Sequence, residues 1–110
     1  MQKKNNKLSR SDFATVFATR KVHSSLHFTL RIVPEKNWDD FGVSVVISKK
    51  VEGSAAKRNK AKRRTYYALR ILSEDLKKPF KGVFVMRRSV LGMDFYDLEN
   101  ELQDLIQKAL

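Results

Sequence analysis

The chain has 110 residues, no cysteine and a formal net charge of +11. Its 42% hydrophobic content is enough for the core of one domain, which excludes a disordered chain. The absence of cysteine excludes disulfides and thiolate metal sites. The excess charge lies in residues 1–64, which carry 16 Lys/Arg and 5 Asp/Glu, whereas residues 65–110 carry 7 of each. This asymmetry indicates a polyanionic partner, most often a nucleic acid.

The N-terminal part predicts a short tail and one helix. Residues 1–7 are polar and basic, so we expect a flexible segment there and a single domain over 8–110. Ser9 and Asp12 have the spacing of a capping box, and apolar residues follow at helical spacing. A helix is therefore predicted at about 10–20.

Four strands are predicted from alternation and β-branched content. The stretch "HFTLRIV" (27–33) alternates between apolar and polar residues, which is typical of a strand with one buried face. A second long strand is predicted at 41–50, a third at 83–88, and a short one near 22–25. The stretch "KKPFKG" (77–82) is predicted to be a turn.

Two further helices complete the predicted fold. Ser54 can cap a helix over residues 55–74, which contain neither Gly nor Pro, and Asp94 with Asp97 repeats the capping-box spacing. An apolar stripe then marks an amphipathic last helix: Leu98, Leu102, Leu105, Ile106 and Ala109. The long helical connection allows the two strands that it joins to run parallel, in a single-domain α+β sandwich with a mixed sheet.

The densest charge is "KRNKAKRR" (57–64). On a helical wheel of about 100° per residue, one face gathers residues that can pack on a sheet: Ala61, Thr65, Ala68, Leu69 and Leu72. The opposite face gathers polar and aromatic residues: Asn59, Lys60, Arg63, Tyr67 and Arg70. Cations so close together repel one another and oppose the helix dipole, and a phosphate backbone would relieve both effects. The alternatives are a solvated face for the cations and a merely exposed first turn for Asn59.

The stretch "SKKVEGSAAKRNKAKRRTYYALR" resembles the signature region of the bacterial ribonuclease P protein subunit. In that family a strand ends in Ser-Lys-Lys, and a helix then carries Arg-Asn-Arg, one further residue and Lys-Arg. The matching positions are Ser48-Lys49-Lys50, Arg58-Asn59-Lys60 and Lys62-Arg63. The segments "LSRSDFATVF", "HFTLRIV" and "MDFYDLENELQDLIQKAL" resemble the family's first helix, second strand and last helix. Lys60 stands where the family usually has Arg, and Tyr66 where many members have Arg.

The resemblance implies a non-catalytic protein subunit of an endoribonuclease, in which an RNA subunit that requires Mg²⁺ removes the 5′ leader of precursor tRNA. It implies contacts with the RNA subunit at Lys49, Lys50, Arg58, Asn59, Lys60, Lys62, Arg63 and Tyr67. It implies a cleft for the single-stranded leader lined by Phe13, Phe17, Thr29 and Arg31. From spacing alone, Phe13 and Phe17 could equally be core residues. The implied fold is an α-β-β-β-α-β-α sandwich with a left-handed β-α-β crossover.

Catalytic motifs are absent from the sequence, and Asp39 and Asp40 point apart in an extended stretch. Two histidines without cysteine do not predict a zinc centre. We therefore expect no catalytic residue, directly bound metal, cofactor or small-molecule substrate. The N-terminus has no apolar segment of the secretory type, which predicts a cytoplasmic protein. A ribosomal or general RNA-binding protein remains an alternative reading, and so does a membrane-surface protein with a free apolar helix face.

Overall fold

The computed structural model describes residues 7–110, apart from the side chain of Ser89. Its elements, in chain order, are α1 (Arg10–Phe17), β1 (Val22–Ser24), β2 (Phe28–Pro34), β3 (Gly42–Val46), α2 (Ala55–Ser73), β4 (Phe80–Met86) and α3 (Phe95–Ala109). Short 3₁₀ helices lie at Trp38–Asp40 and Arg88–Gly92. The predicted α+β class and the order α-β-β-β-α-β-α are confirmed. Most of the predicted flexible N-terminal segment, residues 1–6, lies outside the described residues.

The four strands form one mixed sheet in the order β1-β2-β4-β3. β1 pairs antiparallel with β2, β2 pairs antiparallel with β4, and β3 pairs parallel with β4. The parallel pair is joined through α2, as predicted for a helical crossover. The left-handedness implied by the resemblance stays a prediction. Within the described residues, no helix has both the length and the apolar character needed to cross a bilayer.

The core lies between the sheet and the pair α2 and α3. Phe28, Leu30 and Ile32 of β2 point to this side, opposite Met86, Phe84 and Gly82 of β4. α1 covers part of the other face, where Val16 and Val83 are fully buried. The sheet thus separates α1 on one side from α2 and α3 on the other.

The strand boundaries differ from the sequence prediction most at the end of β3 and the start of β4. β3 ends at Val46, so Ser48-Lys49-Lys50 lies in the following turn, and β4 begins at Phe80 inside the predicted turn region. Gly82 is a packing position: a Cβ there would lie 2.9 Å from Cε2 of Phe80 and 3.1 Å from Cδ1 of Leu30. The glycine thus makes room for neighbouring core side chains and does not mark a turn.

The helix starts follow the predicted caps in two cases of three. Ser9 accepts a hydrogen bond from the amide of Asp12 at 3.1 Å, and Ser54 accepts one from the amide of Lys57 at 3.3 Å. Asp94 occupies the N-cap position of α3 but makes no side-chain capping bond. The Asp94–Asp97 spacing therefore marks the start of the helix without forming the predicted capping box.

The outer edge of β3 is covered by groups from elsewhere in the chain. The amide of Val45 donates a hydrogen bond to the Tyr66 hydroxyl at 3.0 Å. Lys7 forms an isolated parallel bridge with Val43, and its ammonium lies 5.1 Å from the centre of the Tyr66 ring. Covering an edge strand in this way blocks pairing with other chains.

The Tyr66 hydroxyl is expected to stabilise the fold. Tyr66→Phe removes the acceptor for the Val45 amide and should lower the free energy of unfolding by about 1 kcal/mol. The matched control is Tyr67→Phe on the exposed side of the same helix, which should leave stability unchanged. Urea unfolding of both variants measures the difference. Equal midpoints and slopes for the two variants would contradict this role.

The turn between β1 and β2 is held to α3 by Glu101. Its carboxylate accepts hydrogen bonds from the Ser25 hydroxyl and from the His27 amide, the latter at 2.7 Å, and it contacts Nδ1 of His27. The Glu101 side chain is half-buried. Burial raises the pKa of Glu101, but the hydrogen bonds from Ser25 and His27 lower it by more, so its pKa lies below the ordinary 4.5.

Because the folded state lowers the pKa of Glu101, its stabilising effect should be present at neutral pH. It should fade as pH falls below about 4.5 through the folded-state pKa. Glu101→Gln should lower the free energy of unfolding at pH 7 by roughly 1–3 kcal/mol and flatten its acid dependence. Asp104→Asn, an exposed change on the same helix, is the control. Urea unfolding between pH 3 and pH 7 (roughly, the carboxylate range) tests this, and parallel pH profiles for Glu101→Gln and the unmodified chain would contradict it.

Candidate nucleic-acid interface

The first surface of interest is the outward side of α2. The predicted packing stripe is confirmed, because its five members are all buried: Ala61, Thr65, Ala68, Leu69 and Leu72. Asn59, Lys60, Arg63 and Arg70 are exposed, as expected for the opposite side. The apolar face of α2 is thus used by the core, which removes the free face that a membrane-surface protein would need.

Arg58 is only partly available to a partner. One guanidinium nitrogen donates hydrogen bonds to the carbonyl oxygens of Glu52 and Gly53, at 2.8 Å and 3.0 Å. These bonds fix the loop that leads into α2. Lys62 is half-buried. Arg64 is also half-buried and donates to the Met93 carbonyl at 2.6 Å. The exposed cations of the signature segment are Lys49, Lys50, Lys57, Lys60, Arg63 and Arg70.

The cations of α2 are not neutralised by neighbouring acids. Over residues 7–110, ion pairs within 4.0 Å join only Lys81 to Asp12 and His27 to Glu101. Neither pair involves α2. A helix with unpaired cations on one side produces a strong positive potential there, which attracts a polyanion.

Lys49 and Lys50 lie in an exposed turn between β3 and α2. The turn is closed by Ser48, whose carbonyl and hydroxyl oxygens accept from the amide of Val51 at 3.1 Å and 3.2 Å. Arg58 holds the following residues of the same loop. The two predicted lysines are therefore placed before the start of the basic helix.

The second surface lies on the opposite sheet face, beside α1. The rings of Phe13 and Phe17 stack with centroids 5.5 Å apart and an interplanar angle of 11°. The Arg31 guanidinium lies 5.0 Å from the centre of the Phe17 ring and donates to the carbonyl of Thr19 at 3.2 Å. Phe17 is 43% exposed. This exposure disagrees with a core role for Phe17 and leaves a π-surface available to a ligand.

The sheet face beside α1 carries the other two predicted leader residues. Thr29 and Arg31 alternate away from the core on β2, and both are half-buried. Val85, the partner of Thr29 on β4, is also half-buried, so α1 covers this face only in part. Lys81 anchors α1 through Asp12, and their hydrogen bond raises the pKa of the Lys81 ammonium. The four predicted leader residues thus lie on the same side of the sheet, next to α1.

Arg87 is a site residue that the sequence reasoning missed. One of its guanidinium nitrogens donates to the carbonyls of Ser25, Leu26 and Phe28, and the other donates to the Thr29 hydroxyl at 3.1 Å. The side chain therefore positions Thr29 while adding a cation to this side of the sheet. The only sequence signal was an arginine pair at the end of the strand predicted at 83–88, which does not separate this role from ordinary surface charge.

The described part of the chain holds no group of three or more His, Asp or Glu residues arranged to bind a metal ion. The extended stretch predicted around Asp39 and Asp40 was wrong, because both residues lie in the 3₁₀ helix Trp38–Asp40, where they are exposed. The chemistry offered by the two surfaces is thus that of cations and aromatic rings.

A mixed sheet with a basic helix on one face and exposed aromatic rings on the other has the features of a small nucleic-acid-binding α+β protein. The family model for Ribonuclease P matches residues 1–110. The chain belongs to this family.

Individual relatives agree with this assignment. The chain is 36% identical over 109 residues to a ribonuclease P protein component of Clostridium botulinum, with 96% of both chains covered. It is 30% identical over 103 residues to that of Microcystis aeruginosa, covering 91% of this chain and 86% of the relative. The RNase P protein of Thermotoga maritima has the same fold, with a TM-score of 0.79 at 24% identity and coverage of 94% and 97%.

Proposed function

We propose that the chain is the protein subunit of a cytoplasmic ribonuclease P ribonucleoprotein. In this proposal the outward side of α2, with Lys49 and Lys50, docks on the RNA subunit. The cleft beside α1 holds the single-stranded 5′ leader of precursor tRNA. The RNA subunit carries the chemistry with its own Mg²⁺, and the protein contributes binding.

The observation that supports this proposal most directly is the placement of two different RNA-binding chemistries on opposite sheet faces. Unpaired cations on α2 suit the phosphates of a folded RNA. Stacked rings beside Arg31 suit the bases of a single strand, for which stacking is worth roughly 1–3 kcal/mol per base. A protein with both surfaces can hold two RNAs together.

The protein would act by binding energy and charge screening. Two RNAs brought into contact repel each other through their phosphates, and the cations of this chain reduce that repulsion. Contacts with the leader add affinity for precursor over mature tRNA. No acid/base pair is needed on the protein for either effect.

A ribosomal or general RNA-binding protein is the alternative, because a basic helix alone would serve it equally. The two proposals differ in the RNA that the protein retains in cells. RNA recovered with the tagged full-length protein after crosslinking should be dominated by ribonuclease P RNA and precursor tRNA. Recovery dominated by ribosomal RNA, in proportions unaffected by Phe17→Ala, would support the alternative.

A further inference from the structure

A groove on α2 combines exposed rings with cations and is not part of the leader cleft. We call it the Tyr67 groove; it is open to solvent and has a volume of about 660 Å³. Its lining includes Lys7, Arg63, Tyr66, Tyr67, Arg70 and Phe95. Because α1 and the leader cleft lie on the other sheet face, one RNA segment in each site would occupy two separate surfaces.

Tyr67 is the central residue of the groove. Its ring contacts Phe95 at a centroid distance of 5.7 Å and an angle of 43°, and the Arg70 guanidinium lies 5.8 Å from its centre. Despite these contacts, Tyr67 is 53% exposed. Packing between α2 and α3 thus explains only part of the ring surface, and the remainder is an open aromatic face.

The charges around Tyr67 favour a nucleotide as the occupant. Arg63 and Arg70 lie one helical turn before and after Tyr67, and the Lys7 ammonium lies beside the Tyr66 ring. Among the residues that the structure describes, those lining the groove include no Asp or Glu. An acidic peptide would use the cations but would have no need of the open ring, whereas a nucleotide uses both, its phosphate on the cations and its base on the ring.

We propose that the Tyr67 groove stacks an unpaired nucleobase of the RNA subunit on Tyr67, with the flanking phosphates on Arg63 and Arg70. This proposal rests on the proposed function and refines it. The basic helix would then contact the RNA at a single-stranded position as well as along phosphates. Arg70 on the ring would reinforce the stack through its own planar group.

The test measures binding of labelled single-stranded octamers by fluorescence anisotropy, in a Phe17→Ala background that removes stacking in the leader cleft. One octamer is oligoadenylate and the other is an abasic ribose-phosphate chain of equal charge. Tyr67→Leu, which retains apolar packing on Phe95, should weaken oligoadenylate binding about 5- to 150-fold. Tyr67→Phe should have no effect, and neither variant should alter binding of the abasic chain.

Equal oligoadenylate affinities for Tyr67→Leu and Tyr67→Phe would overturn the proposal, as would an equal loss on the abasic chain. Thermal melts of both variants separate a stacking loss from misfolding. The same pair is then measured on ribonuclease P RNA, where Tyr67→Leu should again bind more weakly. Failure of the proposed function would look different: the unmodified chain would show no preference for ribonuclease P RNA over ribosomal RNA, whatever Tyr67 does with oligoadenylate.

Discussion

Changing Lys60 and Arg63, which are both exposed on the outward side of α2, to glutamine is expected to weaken binding of ribonuclease P RNA about 30-fold near 0.15 M salt. The reason is the loss of about two phosphate contacts, each of which releases roughly one counterion. The slope of log affinity against log salt should therefore fall by about two units. Glutamine keeps the helix propensity of α2, so folding should be unaffected. Filter binding across a salt series measures both quantities.

The chain offers a matched control in Lys77 and Lys78. These two lysines are also exposed, but they lie in the turn between α2 and β4, beyond the far end of the basic helix. Their double change to glutamine removes the same net charge and should alter the salt slope little. If both double variants lose affinity equally, net charge alone drives binding and α2 is not the docking surface.

Phe17→Ala is expected to weaken holoenzyme binding of leader-bearing precursor tRNA on the order of 10- to 100-fold, because one stacked base is lost. Binding of mature tRNA, which has no leader, should be unchanged. Phe17→Tyr keeps the ring and should behave like the unmodified protein. Binding of the two tRNAs by each holoenzyme gives the leader-specific difference.

Stability measurements distinguish this leader contact from a packing role. Phe17 is half-exposed, so its removal loses mainly the stack with Phe13, worth about 0.5–1.5 kcal/mol. Val16 is fully buried between α1 and the sheet, and Val16→Ala should cost roughly 1–3 kcal/mol without leader-specific loss. A larger loss of stability for Phe17→Ala than for Val16→Ala, with no leader effect, would assign Phe17 to the core.

The periodicity of apolar residues predicted those helices and strands well that bury only one face. The alternation of β2 and the apolar stripe of α2 each reflect a single buried face, and the structure buries the expected residues of both. The predicted end of α1 at about residue 20 was wrong, since the helix ends at Phe17. The turn predicted at 77–82 extended too far, because β4 already begins at Phe80 and Gly82 is a core position close to Phe80 and Leu30. Such contacts between distant residues leave no local signal.

The candidate sites, too, could be predicted only in part. The outward side of α2 followed from helical spacing, and the cleft residues followed from a family resemblance. Three contacts could not be predicted from the sequence: the bond of Arg58 to the loop before α2, the hydrogen bond from Arg87 to Thr29, and the contact between Phe95 and Tyr67. Each depends on where a separate element or loop places a side chain. Spacing along the sequence predicts which face of an element a residue lies on, whereas tertiary packing determines which side chain it contacts.

The central claim is that this chain assists an RNA catalyst and cleaves nothing alone. Its most direct test is cleavage of precursor tRNA by protein alone, RNA subunit alone and both together, across a Mg²⁺ series. We expect no cleavage by the protein alone, and a stimulation by protein that is largest at low Mg²⁺ and shrinks as Mg²⁺ screens the RNA–RNA repulsion. Site-specific cleavage by nuclease-free protein alone, or an RNA subunit whose activity at low Mg²⁺ is unchanged by the protein, would contradict it.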